Sequence, residues 1–177
     1  MEKYSFDGQK LIIIDPQLGI DINEFFDPPK LPIAPEEGKH LPSGHIVRVQ
    51  NEEAYLEKEG VRDGQCLLFY ADDVKKMETF YLHGKLHGPS TFFNKSGVLL
   101  AKSWFIKGKR QGKCFWYYFD GSLYSVQNYY DGVWHGKQQY FYPDGTLKTV
   151  VHYLHGKLID QPTLYQRDGK LRQELSS

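Results

Sequence analysis

The stretch that decides the fold is residues 130–148, which read YDGVWHGKQQYFYPDGTLK. It contains two glycines at Gly132 and Gly136, then an aromatic run that ends at Tyr142, then the pair Asp144–Gly145. Aromatic runs bounded by glycines are typical of β-strands, and Asp-Gly between apolar runs is typical of a hairpin turn. This stretch therefore predicts a strand, a tight turn and the start of a return strand.

The same pattern recurs along the chain with a period of 24 residues. Three glycine series keep this period: Gly60, Gly84, Gly108, Gly132 and Gly156; Gly64, Gly88, Gly112 and Gly136; Gly97, Gly121, Gly145 and Gly169. Asp160 takes the fifth place of the second series, and Asp73 takes the first place of the third. A fixed period of this length is the signature of a repeat architecture.

Each copy is predicted to form a β-hairpin. Because Asp and Gly both tolerate positive φ, we predict primed turns at Asp120–Gly121, Asp144–Gly145 and Asp168–Gly169, and loops at the Gly-x-x-x-Gly segments. One hairpin is marginal alone, whereas stacked copies bury a shared surface. The fold class is therefore all-β, an elongated antiparallel sheet of about five stacked 24-residue hairpins. The predicted repeats are 60–83, 84–107, 108–131, 132–155 and 156–177, after a degenerate copy at 38–59.

Three segments carry a resemblance to a known family: residues 82–88 (LHGKLHG), 130–137 (YDGVWHGK) and 142–148 (YPDGTLK). They resemble the MORN repeat, and more specifically its bacterial, antitoxin-like variant, over roughly residues 60–175. The resemblance implies a binding module or scaffold, with no catalytic activity and no cofactor. Its implied roles are an antitoxin-like neutraliser, a chaperone or an adaptor that recognises a protein, and the alternative is a peripheral membrane or lipid-binding protein.

Two aromatic columns are predicted to lie on opposite faces of the sheet, because neighbouring residues of a strand point in opposite directions. The column that is aromatic in every repeat favours packing over ligand contact: Phe69, Phe93, Tyr117, Phe141 and Tyr165. The adjacent column with the positions two residues on forms a second aromatic stripe. From this stripe we predict a partner-binding surface: Phe92, Trp116, Tyr118, Tyr140 and Tyr142.

Residues 1–44 contain most of the prolines and precede the repeat domain, which we place at 45–177. They are predicted to be extended, with at most a short helix around 21–26. Two interpretations of the stripe stay open. Either this Pro-rich segment covers it as a cap, or the stripe is an open groove for a partner.

The charge pattern limits the class of partner. Lys plus Arg equals Asp plus Glu at 22 each, which argues against a nucleic-acid binder, since such proteins need a basic stripe. For the membrane alternative, the basic residues near the glycines would contact anionic lipid: Lys85, Lys109, Arg110 and Lys137. We expect a protein partner in the cytoplasm, with peripheral membrane attachment as the alternative.

The remaining candidate groups do not combine into a catalytic or metal site. Cys66 and Cys114 share a column two repeats apart, roughly 19 Å at about 4.8 Å per strand, so free thiols are predicted. The histidines near the glycines are spread over different repeats, and no third metal ligand is apparent. No catalytic triad or phosphate-binding loop occurs in the sequence. We therefore predict no enzyme activity, no metal and no cofactor.

Overall fold

The computed structural model describes the backbones of residues 2–6 and 9–13 and all of residues 44–172. The described part is all-β and contains two antiparallel sheets, one of two strands and one of fourteen. The small sheet pairs β1 (Glu2–Phe6) with β2 (Gln9–Ile13). The large sheet confirms the predicted antiparallel sheet of stacked hairpins.

The strands of the large sheet follow one another in chain order across it. Its first half contains β3 (Ile46–Gln50), β4 (Glu53–Lys58), β5 (Val61–Phe69), β6 (Lys75–Leu82), β7 (Lys85–Phe93) and β8 (Leu99–Ile106). Its second half contains β9 (Lys109–Arg110), β10 (Gly112–Tyr117), β11 (Leu123–Tyr130), β12 (Val133–Trp134), β13 (Gly136–Phe141), β14 (Leu147–Leu154), β15 (Lys157–Leu158) and β16 (Thr163–Leu164). The hairpin of β3 and β4 lies where the degenerate copy was predicted.

The tight primed turns are not where the sequence analysis put them. Both residues have positive φ at Glu59–Gly60, His83–Gly84, Lys107–Gly108, Asp131–Gly132 and His155–Gly156. These turns lie within the segments that were predicted to be loops. Two positive φ values define the turn whose twist matches that of the flanking strands. The five turns line one side of the sheet, which we call the primed-turn edge.

The Asp-Gly pairs form a different and longer turn. In the segment 118–122, the N–H of Gly121 donates to the carbonyl of Tyr118 at 2.9 Å, and Asp120 Oδ1 accepts from the N–H of Ser122 at 2.8 Å. Only the glycine has positive φ, so the prediction of primed turns at these pairs is wrong. Asp73 does take the place of the glycine, with a φ of 59°. We call this side of the sheet the bulged-turn edge.

The second glycine of each repeat lies inside a strand or at its start. Gly64, Gly88, Gly112 and Gly136 have φ values between 71° and 105°, and each pairs with an aromatic residue of the next strand. A positive φ within a strand is typical of a bulge, where glycine has no steric penalty. The loop predicted between the two glycines is therefore the first part of the next strand.

Few of the fully buried side chains in the sheet are large and apolar. The fully buried side chains include Leu56, Val47 and Trp104, together with small or polar residues such as Thr79 and Ser125. Among residues 44–172 and the two N-terminal strands, no helix is long and apolar enough to cross a membrane. The predicted helix around 21–26 and residues 14–43 of the Pro-rich cap predicted at 1–44 lie outside the described residues.

Candidate functional site

One row of side chains crosses the sheet on the face that was predicted to bind a partner. Its register runs through successive cross-strand pairs: Leu68–Met77, Met77–Phe92, Phe92–Ala101, Ala101–Trp116, Trp116–Ser125, Ser125–Tyr140 and Tyr140–Thr149. Directly paired residues project to the same side of a sheet. Large aromatic side chains therefore alternate with smaller ones along this row. We call this side the aromatic face, and the other side the reverse face.

A row of small and polar residues lies beside the aromatic row on the same face. Both cysteines belong to it, Cys66 paired with Thr79 and Cys114 paired with Gln127. Neither thiol forms a disulfide and both are fully buried, which confirms the prediction from their spacing. Burial raises the pKa of the Cys66 thiol to about 12, and its hydrogen bond to Glu53 acts in the same direction. This thiol is therefore protonated at neutral pH and is a poor nucleophile.

Three tyrosines form a ring cluster on the aromatic face. The ring centroids of Tyr118 and Tyr124 are 5.1 Å apart, and those of Tyr124 and Tyr140 are 5.9 Å apart. Both contacts are edge-to-face, the arrangement that aromatic pairs favour. Trp116 makes a separate contact with Tyr129 at 6.3 Å. The structure thus brings Tyr118 and Tyr140 together through a residue that the sequence analysis did not select.

Tyr124 was missed because it is the extra residue of a bulge. Trp116 pairs with Ser125 and Tyr117 with Leu123, so Tyr124 has no partner in the register. It is 39% exposed, and Phe119 at the tip of the adjacent turn is 79% exposed. The only sequence signal was an aromatic residue at a position that holds Lys148 one repeat later.

Tyr118 and Tyr142 also have a structural role. The Tyr118 hydroxyl donates to the carbonyl of Phe141 at 2.9 Å, and the Tyr142 hydroxyl donates to the carbonyl of Tyr165 at 3.1 Å. Tyr70 makes the equivalent bond to Phe93 at 2.9 Å. Each bond joins one bulged turn to the next repeat. The rings are half-buried, so they remain available for contact while their orientation is fixed.

The basic residues proposed for lipid contact do not converge. Lys109 is paired with Asp131, with Nζ to carboxylate distances of 2.7 and 2.8 Å. Arg110 lies over the rings of Phe105 and Tyr129, at 5.4 and 5.8 Å.

The two remaining lysines of that set are exposed at other places. Lys85 follows a primed turn, whereas Lys137 lies opposite His152 in the strand register of β13 and β14. Lys137 alternates with Gln138, which shares the aromatic face with Tyr140, so Lys137 lies on the reverse face. The four cations therefore do not form one basic surface.

A polar cluster at the primed-turn edge was not predicted. Asp63 accepts from His45 Nε2 at 2.9 Å and from the backbone N–H of His83 at 2.8 Å. The His83 ring Nδ1 lies 3.3 Å from the same carboxylate. Burial raises the pKa of Asp63, but the hydrogen bonds from His45 and His83 outweigh it, so this pKa lies below its ordinary value.

The Asp63 cluster is one example of a contact that recurs in four successive repeats. One side chain per repeat accepts a hydrogen bond from the backbone of the following primed turn. Gln111 Oε1 accepts from the N–H of Asp131 at 2.8 Å, and His87 and His135 accept at 3.5 and 3.4 Å. The position holds Asp, His, Gln and His in the four copies, so no single residue type marks it in every repeat. Within the described residues no three potential ligands group into a metal site.

Comparison with known families agrees with this architecture. The model of the MORN repeat variant family matches residues 110–130 and 134–155, which contain β10, β11, β13 and β14. These are two consecutive copies of the 24-residue unit, and they include Trp116, Tyr118 and Tyr140. MORN repeats are associated with modules that bind proteins or membranes. No curated protein matches the chain.

Proposed function

We propose that this chain is a non-catalytic module that binds a protein through its aromatic face, and its similarity to the MORN repeat variant family over residues 110–130 and 134–155 supports the proposal. The contact surface consists of Phe92, Trp116, Tyr118, Tyr140 and Tyr142, extended by Tyr124. The observation that carries the proposal is the half-exposed cluster of Tyr118, Tyr124 and Tyr140. Contiguous exposed aromatic surface on a soluble domain is typical of an interaction site.

Contacts within the protein orient the side chains of this surface. Hydroxyl bonds hold the rings of Tyr118 and Tyr142, and the edge-to-face contacts hold Tyr124 and Tyr140. Ordering a side chain at an interface costs roughly 0.5–1.5 kcal/mol, so side chains that are already ordered reduce the entropy lost on binding. Tyrosine and tryptophan combine a large contact area with few rotatable bonds. These features support a binding surface that is preorganised.

The charges favour a protein over a membrane. The formal net charge is zero, and Lys109 and Arg110 are engaged with Asp131 and with aromatic rings. Attachment to anionic lipid requires a cluster of basic residues on one surface. The cores of protein interfaces are instead depleted of charge and rich in aromatic residues. The identity of the partner would distinguish the antitoxin-like, chaperone and adaptor roles, and two cysteines without a disulfide suit a reducing cytoplasm.

Affinity capture from the native lysate tests the proposal. The wild type is compared with a Trp116→Ala, Tyr140→Ala variant, and bound proteins are identified by mass spectrometry. A surface variant, Phe119→Ser with Tyr124→Ser, changes only partly or largely exposed residues and so keeps the fold. We expect a specific protein to be retained by the wild type and lost with both variants.

The matched control changes two aromatic residues of the reverse face, Phe93→Ala with Phe141→Ala. Circular dichroism and thermal unfolding identify any variant that fails to fold. A partner retained equally by wild type and both aromatic-face variants would place binding elsewhere. Sedimentation with phosphatidylserine vesicles at low salt tests the alternative, and binding that requires Lys85 and Lys137 would favour a membrane function.

A further inference from the structure

A second candidate site lies at the other end of the sheet from the family match. A pocket of about 540 Å³ opens between the hairpin of β3 and β4 and the first bulged turn. Its apolar walls come from β3, β4, β5 and the turn: Val49, Ala54, Leu67, Phe69 and Tyr70. Pockets of about 300–1,000 Å³ are large enough to enclose a small ligand or a side chain with its neighbours.

Most of the apolar wall of the pocket belongs to the reverse face. Leu67 pairs with Ala54 and with Glu78, whereas its neighbour Leu68 pairs with Met77 in the aromatic row. Successive residues of a strand project to opposite sides. Binding at the pocket would therefore not use the surface around Trp116 and Tyr140.

The pocket depends on small residues that later repeats do not have. Ala71 lines it, and the same position of the following turns holds Lys95, Phe119 and Pro143. Ala54 lines it as well, and one repeat later the equivalent residue is Glu78. A larger side chain at either position would occupy part of the volume. The 24-residue pattern is thus changed where the cavity lies.

The rim of the pocket is acidic. Glu52, Glu53 and Asp73 line it, and no basic residue does. Glu53 is neutralised by Arg62, at 2.8 Å, whereas Glu52 and Asp73 are exposed.

Hydrogen bonds fix the main chain at both exposed acids. The N–H of Phe69 donates to the Glu52 carbonyl at 2.7 Å, and the N–H of Asp73 donates to the Tyr70 carbonyl at 3.0 Å. Lys76 and Lys95 lie over the Tyr70 ring, at 5.3 and 5.6 Å, so a ligand cation is favoured at the carboxylates, away from this ring.

The position of β3 at the edge of the sheet favours a peptide as the ligand of the pocket. Val49 belongs to β3, which is the terminal strand of the large sheet among the strands that the structure describes. A terminal strand offers backbone groups along its outer side to an added peptide strand. In this mode of recognition, main-chain hydrogen bonds provide affinity and side-chain pockets provide specificity.

We infer that this pocket binds a basic peptide segment of a partner protein, with a bulky apolar side chain inside the pocket and a lysine or arginine beside it at Glu52 and Asp73. The apolar walls select the buried side chain, and the two exposed carboxylates select the neighbouring cation. An acidic peptide is repelled by the same rim.

Peptide selection on the intact chain tests this inference. A random heptapeptide phage library is selected on the immobilised wild type, and a fluorescein-labelled copy of the most enriched sequence is titrated by fluorescence anisotropy. We expect enriched sequences with a bulky apolar residue within two positions of a lysine or arginine. Ala71→Phe, which copies the residue present at Phe119, should fill the pocket and weaken binding by about tenfold or more.

Two further variants separate the pocket from its rim. Glu52→Gln with Asp73→Asn removes the charges while keeping a residue that tolerates positive φ, and it should reduce both the affinity and its salt dependence. Pro143→Phe makes the same change three repeats later and should leave binding within about twofold of wild type. The inference is overturned if no peptide is enriched, if the enriched peptides lack basic residues, or if Ala71→Phe binds as tightly as wild type.

Discussion

The two long edges of the sheet join the same repeats by different chemistry. At the primed-turn edge, four turn glycines, from Gly84 to Gly156, each donate to a carbonyl of the preceding repeat, as Gly132 does to Arg110 at 2.9 Å. A partly or fully buried side chain such as Asp63 or Gln111 adds a second bond. At the bulged-turn edge, tyrosine hydroxyls such as that of Tyr118 make the connection from half-exposed positions.

This difference predicts which edge contributes more to the free energy of unfolding. A buried acceptor that loses its donor is left without water, whereas an exposed one exchanges its partner for solvent. Loss of a hydrogen bond should therefore cost more at the primed-turn edge. The bulged-turn edge tolerates variation, since Asn94 replaces the linking tyrosine in one repeat and instead accepts from Ser96 and Val98 within its own turn. The following predictions compare the two edges.

The largest effect is expected for Asp63→Ala. The substitution leaves His45 and the backbone N–H of His83 without their acceptor in a site where Asp63 is only 9% exposed. We expect the free energy of unfolding to fall by about 3 kcal/mol, measured by urea denaturation. Asp120→Ala at the other edge is the matched control and should cost less. Equal losses for the two variants would contradict the difference between the edges.

The second effect concerns the turn glycines. Gly132→Asn at the primed-turn edge should cost about 1–2 kcal/mol, because its φ of 87° is unfavourable for a residue with a side chain. Gly145→Asn at the bulged-turn edge should cost less, since Asp73 already occupies the equivalent position at a φ of 59°. Thermal and urea unfolding of both variants measure the difference. If Gly145→Asn proved the more damaging, tolerance at Asp73 would depend on its neighbours and not on the turn.

The third effect is the loss of the tyrosine connections. Tyr118→Phe and Tyr142→Phe each remove one hydroxyl bond and keep the ring, so each should cost about 1 kcal/mol. The double variant should lose about the sum, because the two bonds do not share a partner. Tyr124→Phe serves as the control, since its ring contacts are retained. A loss in the double variant far above the sum would indicate that neighbouring turns unfold together.

Much of the fold was predictable because it depends on spacing. The 24-residue period and the alternation of faces follow from glycine and aromatic positions alone, and they placed Trp116 and Tyr140 in one row. The separation of Cys66 and Cys114 predicted free thiols for the same reason. Turn type was not predictable from the residue types. Asp131 and Asp144 both precede a glycine, but only Asp131 has a positive φ.

The parts of the candidate sites that were missed depend on three-dimensional contacts. Tyr124 entered the aromatic face because a bulge adds one residue to its strand. His45 and Asp63 are 18 residues apart, which matches no repeat distance, so only the folded sheet brings them together. The pocket arises from the absence of a large side chain at Ala71. A search for residues that recur every 24 positions does not detect a position where a large side chain is missing.

The smallest effect is the pH dependence that Asp63 adds to the primed-turn edge. Burial opposes ionisation, but the hydrogen bonds from His45 and His83 outweigh it and hold the pKa of Asp63 below its ordinary value. The stabilisation is therefore complete above the pKa of Asp63 in the unfolded chain, about 3.9. It is lost as the pH falls through the lower pKa of Asp63 in the folded protein. Between about pH 5 and pH 2, below the ordinary titration range of histidine, wild type should lose more unfolding free energy than Asp63→Asn. Equal losses in the two proteins would show that another group causes the loss of unfolding free energy at low pH. The stability of the primed-turn edge would then come from its backbone hydrogen bonds.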